Sequence, residues 1–149
     1  MEFHQFTPGA QLQAGPHKVT EDEIIEFARR YDPQPFHIDH AHATASRWGG
    51  LIASGWMTCA IAMKLAVQSM LDGSGSFGSP GVEELRWENP VRPDDELKLS
   101  VTVLESRISS SGKVGVVRCS WELHNQNDKR VLSLTATNLF ELSAISTGS

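Results

Sequence analysis

The run Asp32-Pro-Gln-Pro-Phe-His37 sets a carboxylate and an imidazole five residues apart on a segment stiffened by two prolines. Fixed proline φ angles reduce the freedom that otherwise blurs the geometry of a reactive pair. Imidazole titrates near neutral pH, and a carboxylate beside it can help hold a water molecule, so general acid/base chemistry is within reach. The residues alone leave a second reading open, in which Asp32 caps a turn and His37 is a satisfied loop histidine.

The elements around this pair follow from local patterning. Thr20-Glu-Asp-Glu23 has the form of a capping box and predicts a helix start, with Ile24, Ile25, Phe27 and Ala28 as its apolar face. Pro33 and Pro35 stop that helix near Tyr31, which puts Asp32 at its end. Asp39 is expected to cap a short helical turn holding Ala41, Ala43 and Ala45, broken by Gly49-Gly50. Ser54-Gly55 then caps a helix running through Trp56, Met57, Ala60, Ile61, Met63, Leu65, Ala66 and Met70, apolar around nearly its whole circumference. Such a helix must be enclosed.

The Gly/Ser-rich stretch 72–81 suits neither regular structure and is expected to be irregular. Strand patterning follows: residues 82–87, then Leu97, Leu99, Val101 and Val103 on one parity, and Leu132, Leu134, Ala136, Phe140 and Leu142 on another. Val114 and Val116 share one parity while Val117, Cys119, Trp121 and Leu123 share the other, which predicts a bulge near Gly115 in preference to burial on both faces. Turn residues at 109–113 and 125–129 make the last three strands an antiparallel meander. One apolar helix followed by long antiparallel strands predicts an α+β architecture with a curved sheet wrapped around the helix.

The 149 residues fit one domain, with a core over about residues 15–142 and a frayed tail at 143–149. A net charge of -5 with scattered Arg29, Arg30, Arg47, Lys64, Arg86, Arg92 and Arg118 argues against a nucleic-acid surface. The window Trp56 to Leu71 includes Lys64 and Gln68 and falls short of the roughly 20 apolar residues of a membrane span. No apolar stretch near residue 1 has the length of a signal peptide. Cys59 and Cys119 lack metal-ligand spacing and suit buried reduced thiols, so a cytoplasmic location is expected.

Asp32-Pro33-Gln34-Pro35-Phe36-His37-Ile38-Asp39 resembles the signature Asp-x-Asn-Pro-x-His-x-Asp of MaoC-like dehydratases and R-specific enoyl-CoA hydratases. Gly50-Leu-Ile-Ala-Ser-Gly55 is similar to the family stretch that enters the central helix of the hot-dog fold. Leu85-Arg86-Trp87 leading into Asn89-Pro-Val-Arg-Pro-Asp-Asp95 resembles its strand-to-turn segment. The resemblance implies a hot-dog fold and a hydro-lyase that adds water to a trans-2-enoyl thioester, giving an R-3-hydroxyacyl thioester, or runs the reverse dehydration. Asp32 and His37 would be the catalytic pair, and Gly55, with Ser54 beside it, would bind the thioester oxygen at the helix start. The substrate would be an acyl-CoA or acyl-carrier-protein thioester, with no metal or redox cofactor and the chain assembled at least as a homodimer.

Three departures stand out: Gln34 replaces Asn, Arg30-Tyr31 replaces a small Ser-Gly pair, and Ser54 stands where His is common. The first two would alter the turn and narrow the entry. Rival readings are a hot-dog thioesterase and a non-catalytic acyl-thioester-binding subunit. A metal site at His37, Asp39, His40 and His42 has poor geometry, because helix positions two apart do not share a face. Trp48 is a candidate for the acyl pocket, with Trp56 a lesser one. Trp56, Trp87 and Trp121 read first as core or interface aromatics. Arg86 and Arg92 are candidates for CoA phosphates, with solvated charge or an ion pair as the default.

Overall fold

The computed structural model describes residues 1–142, so the expected tail at 143–149 lies outside the described residues. A 3₁₀ turn at Phe3–Gln5 leads into β1 (Gln11–Lys18), followed by α1 (Glu21–Tyr31), α2 (Pro35–Ile38), α3 (His40–Ala45) and α4 (Gly55–Ala66). A π turn, Val67–Leu71, extends α4. Four strands complete the chain: β2 (Ser76–Arg86), β3 (Glu96–Ile108), β4 (Val114–His124) and β5 (Arg130–Glu141). All five strands form one antiparallel sheet in the order β1-β3-β4-β5-β2.

The sheet closes on α4 as the patterning requires. Leu97, Leu99, Val101 and Val103 of β3, Val117, Cys119, Trp121 and Leu123 of β4, and Leu132, Leu134, Ala136 and Phe140 of β5 form its inner face. They pack on Met57, Ile61, Ala62, Leu65, Ala66 and Met70. At roughly 25 cal/mol per Å² of apolar surface, this burial is the main force holding helix and sheet together. Among the described residues no helix is long and apolar enough to cross a membrane.

Several expectations are corrected. The Gly/Ser stretch is not irregular from residue 76 onward: β2 begins there and pairs with β5 through three shifts in register. It lacks a hydrophobic signal because it is an edge strand exposed along nearly its whole length. The bulge lies in β3, not at Gly115, since Val103 faces Cys119 and Glu105 faces Arg118, leaving Leu104 unpaired. Gly115 is small for another reason: the Phe3 ring lies where its Cβ would stand. The packed unit also starts before residue 15, because β1 was not foreseen and Phe6 is buried in the core. Leu142 follows the end of β5 and is half-buried.

Candidate active site

The two ends of α1 are fixed differently, the start by a side chain and the end by the backbone. At its start Thr20 accepts a hydrogen bond from the Glu23 amide at 3.2 Å, one half of the expected capping box. The Glu23 carboxylate turns instead to His17 of β1, with Nε2 and Oε1 2.8 Å apart. At its end the Asp32 amide donates to the Ala28 carbonyl at 2.9 Å, and the chain then leaves helical geometry. Pro35 occupies the first position of α2, where a missing N–H costs no hydrogen bond. That short helix turns His37 inward.

The buried segment 51–54 completes the frame. Its Ile52 amide donates to the Phe36 carbonyl at 3.3 Å and its Ala53 amide to the Val91 carbonyl at 2.8 Å, so it runs between α2 and the turn before β3. The Ile52 carbonyl lies 2.7 Å from His37 Nδ1. A carbonyl only accepts, so Nδ1 carries a proton in this contact, and Nε2 is left to exchange a proton, donating to a carboxylate when the ring is protonated. Nε2 faces Asp32 Oδ2 at 3.2 Å, with the imidazole side chain only 5% exposed.

Asp32 is more open, its side chain 18% exposed. Partial burial pushes its carboxyl up, but hydrogen bonds from Gln34 and Ser54 and the adjacent His37 outweigh that and hold it below its ordinary value. The Gln34 amide donates to Oδ1 at 2.7 Å. Gln34 therefore supports the carboxylate directly, despite being a departure from the motif.

Ser54 is fully buried and caps α4, accepting from the Trp56 amide at 3.3 Å. Gly55 is the first residue of that helix, and helical pairing leaves its N–H without an intrahelical acceptor. A cavity of about 220 Å³ opens beside it, lined in part by His37, Trp48, Gly55, Thr58, Trp87 and Glu88. Asp32 is not part of this wall and reaches the site through His37.

Of the aromatic candidates, Trp48 does line the cavity, and Arg92 holds its loop by donating from Nη2 to the Trp48 carbonyl at 2.6 Å. Arg92 is thus a clamp on this loop. Trp56 is neither core nor cavity wall: it is 58% exposed and meets Trp87 edge-on. Trp87 is also no core residue. Its indole N–H donates to the Gly55 carbonyl at 2.9 Å, and an added Cβ at Gly55 would come within 2.7 Å of that same nitrogen. Trp121 is buried as expected.

Trp87 and Glu88 are the wall residues that sequence reasoning missed. They follow directly on β2, and a short, unpatterned step there carries no periodic signal. The other histidines disperse: His40 pairs with Glu21 and His42 is exposed. Among the described residues no group of three or more His, Cys, Asp or Glu side chains is gathered for a metal ion. Burial pushes the Cys119 thiol up to about 11 and raises that of Cys59, so neither is poised as a thiolate.

Comparison with known proteins places this geometry. Residues 3–123 match the family model described as MaoC like domain. The uncharacterized protein YdeM of Bacillus subtilis is 32% identical over 131 residues, covering 88% of this chain and 92% of that one. A MaoC-like dehydratase from Rhodospirillum rubrum superposes with a TM-score of 0.86 at 38% identity, covering 95% of this chain and 97% of its own. An R-hydratase from Pseudomonas aeruginosa does so with a TM-score of 0.79 at 26% identity, covering 94% and 85%. With a matching family model, a matching sheet around one helix and its signature residues gathered at that helix's start, the chain belongs to the MaoC-like family and has its hot-dog fold.

Proposed function

We propose that this protein hydrates a trans-2-enoyl thioester to an R-3-hydroxyacyl thioester, or catalyses the reverse dehydration, with Asp32 and His37 as the catalytic pair. The observation that carries the reading is the 3.2 Å approach of His37 Nε2 to Asp32 Oδ2 beside the free amide of Gly55. In the hydration direction a water held by the pair gives a proton to it as the water oxygen bonds the β-carbon. The C=C electrons shift toward the thioester carbonyl, whose oxygen gains negative charge. The Gly55 N–H and the positive end of the α4 dipole meet that charge. The pair then returns a proton to the α-carbon, so one water is added across the double bond. Acid/base groups contribute roughly 10²- to 10⁴-fold and an oxyanion donor about 3 kcal/mol. No metal or redox group has a step in this scheme, and the acyl carrier is part of the substrate.

A cavity of about 220 Å³ lies below the roughly 300–1,000 Å³ that holds a whole drug-sized ligand, which favours a short acyl portion. The test is a spectrophotometric series of enoyl-CoAs of increasing chain length, with free thiol measured in parallel. Loss of enoyl absorbance without thiol release, strongest for short chains, is the expected result. Thiol release would replace the reading with a thioesterase, and binding without either reaction with a non-catalytic subunit.

Assembly as a homodimer belongs to the same proposal. Trp56, Ala60 and Met63 of α4 and Val67 of the π turn that extends it form one exposed stripe, and Phe77 and Val82 are more than half exposed on the open edge strand β2. An unpaired strand edge beside exposed apolar side chains favours pairing with a second copy. A reducing, cytoplasmic setting is likewise proposed, in keeping with the two free cysteines.

A further inference from the structure

Glu88 is bound on one side only. Its Oε2 is paired with Arg130 Nε, while Arg130 Nη1 donates to Glu122 at 2.9 Å and the Arg130 carbonyl accepts from Asn89 at 2.7 Å. This network holds the carboxylate in place from the outside. Its other oxygen, Oε1, is buried and has no hydrogen-bond partner, and Glu88 lines the same cavity as His37 and Gly55. Leaving a buried carboxylate oxygen unpaired is costly, and native structures rarely do so without a functional reason.

Four side-chain donors on this wall are already engaged. Trp87 Nε1 is given to the Gly55 carbonyl, Asn89 Nδ2 to the Arg130 carbonyl, Thr58 Oγ1 to the Ser54 carbonyl and His37 Nδ1 to the Ile52 carbonyl. With these donors spent and the Gly55 amide reserved for the thioester oxygen, a group entering the cavity is the remaining source of a partner for Oε1. We infer that Glu88 is a specificity-determining residue, its Oε1 accepting a hydrogen bond from an O–H or N–H on the bound thioester. That donor is a hydroxyl of the acyl portion or an amide N–H of the pantetheine arm. The inference rests on the thioester reading above and narrows it to ligands that carry such a donor.

Two matched pairs of saturated thioesters, which cannot be hydrated, separate the sources by calorimetry. One pair is a short acyl-CoA and its ω-hydroxy counterpart, and the other an acyl-pantetheine and the acyl ethanethiol ester. The variant is Glu88→Gln. Arg130 can only donate, so the amide oxygen of Gln stays on Arg130 and its NH₂ takes the place of Oε1, turning acceptor into donor. The wild type is expected to bind the donor-bearing member of one pair about 10- to 100-fold tighter. That preference is expected to vanish in Glu88→Gln with the melting temperature little changed. The wild-type preference is read without any variant, so it stands even if Glu88→Gln folds poorly. Equal binding within both pairs by the wild type, a preference that persists in the variant, or no binding of any thioester would overturn the inference. The corresponding enoyl thioesters keep the two readings apart: a donor preference without turnover sinks the hydratase reading alone, and turnover without a preference sinks the role of Glu88 alone.

Discussion

The two ends of α1 each carry a histidine–carboxylate pair, and only one of them is equipped for chemistry. At the start His17 Nε2 meets Glu23 Oε1 at 2.8 Å, and at the end His37 Nε2 meets Asp32 Oδ2 at 3.2 Å. By distance alone the first pair is the better one. His17 and Glu23 border an apolar groove with Phe27, Met57, Ile61 and Lys64, midway along α4 rather than at its start. The groove therefore lies away from the Gly55 amide, the one the thioester reading uses to meet developing charge. His37 has its second nitrogen fixed by the Ile52 carbonyl, and its ring opens on a cavity shared with Gly55. A carboxylate beside an imidazole is thus a common tie between elements. A defined tautomer and a helix start facing the same cavity set the second pair apart.

The comparison breaks most sharply on turnover. His37→Ala and Asp32→Ala are each expected to lower kcat for enoyl-thioester hydration by about 10²- to 10⁴-fold while leaving the fold intact. His17→Ala is expected to leave kcat unchanged and to cost about 0–1 kcal/mol of stability, as a partly exposed ion pair does. Initial rates and thermal melts of the three variants measure this. Equal loss of activity in His17→Ala and His37→Ala would erase the distinction between the two ends.

What could be read from sequence follows from how local each feature is. Asp32 and His37 were legible as a constrained pair because Pro33 and Pro35 fix their relation within six residues, and Ser54-Gly55 as a helix start because it caps a strongly apolar helix; their roles in a site came only from the family resemblance. The meander of β3, β4 and β5 was legible because each strand has one buried face and strict alternation. β1 was not, since Gly15-Pro16 interrupts a brief alternation of Leu12 and Ala14 with glutamines. Of β2 only the second half was, as the strand expected at 82–87; its first half is an exposed edge held by backbone pairing to β5 and needs no apolar face. Trp87 and Glu88 join the site only because the end of β2 falls against the start of α4, a long-range register that no local pattern encodes.

Gly55 tests the helix start itself. In Gly55→Ala the new methyl group would stand within 2.7 Å of Trp87 Nε1, so the indole must shift and its 2.9 Å hydrogen bond to the Gly55 carbonyl must break. The amide at the helix start remains, but the wall opposite it moves. A displacement of about 1 Å near reacting groups costs on the order of 10²-fold, so kcat/KM is expected to fall by about 10- to 100-fold, less than in His37→Ala. A second substitution, Trp87→Ala, removes the clash and is expected to restore part of the loss. Steady-state kinetics of the single and double variants measure it, and an additive loss in the double variant would show that Trp87 matters for its own contact and not for the space beside Gly55.

The smallest expected effect concerns the support of Asp32. Its folded carboxyl lies below its ordinary value of 3.8, so ionisation favours the folded state. That contribution is fully present above pH 3.8 and is lost as pH falls through the lower, folded value. Gln34→Leu removes the 2.7 Å hydrogen bond to Oδ1, leaving burial less opposed, and so raises the folded value. The acid limb of the kcat/KM profile is expected to move upward in pH, and the stability gap between wild type and variant to be full at neutral pH and to close in acid. Gln34→Asn, which restores the residue usual in the motif with a shorter reach, is expected to fall between the two. His17→Ala is expected to leave the acid limb where it is, because Glu23 and Asp32 sit at opposite ends of α1. If Gln34→Leu leaves the limb unmoved as well, the carboxylate at the catalytic end is held by Ser54 and His37, and Gln34 does no more there than Glu23 does at the other end.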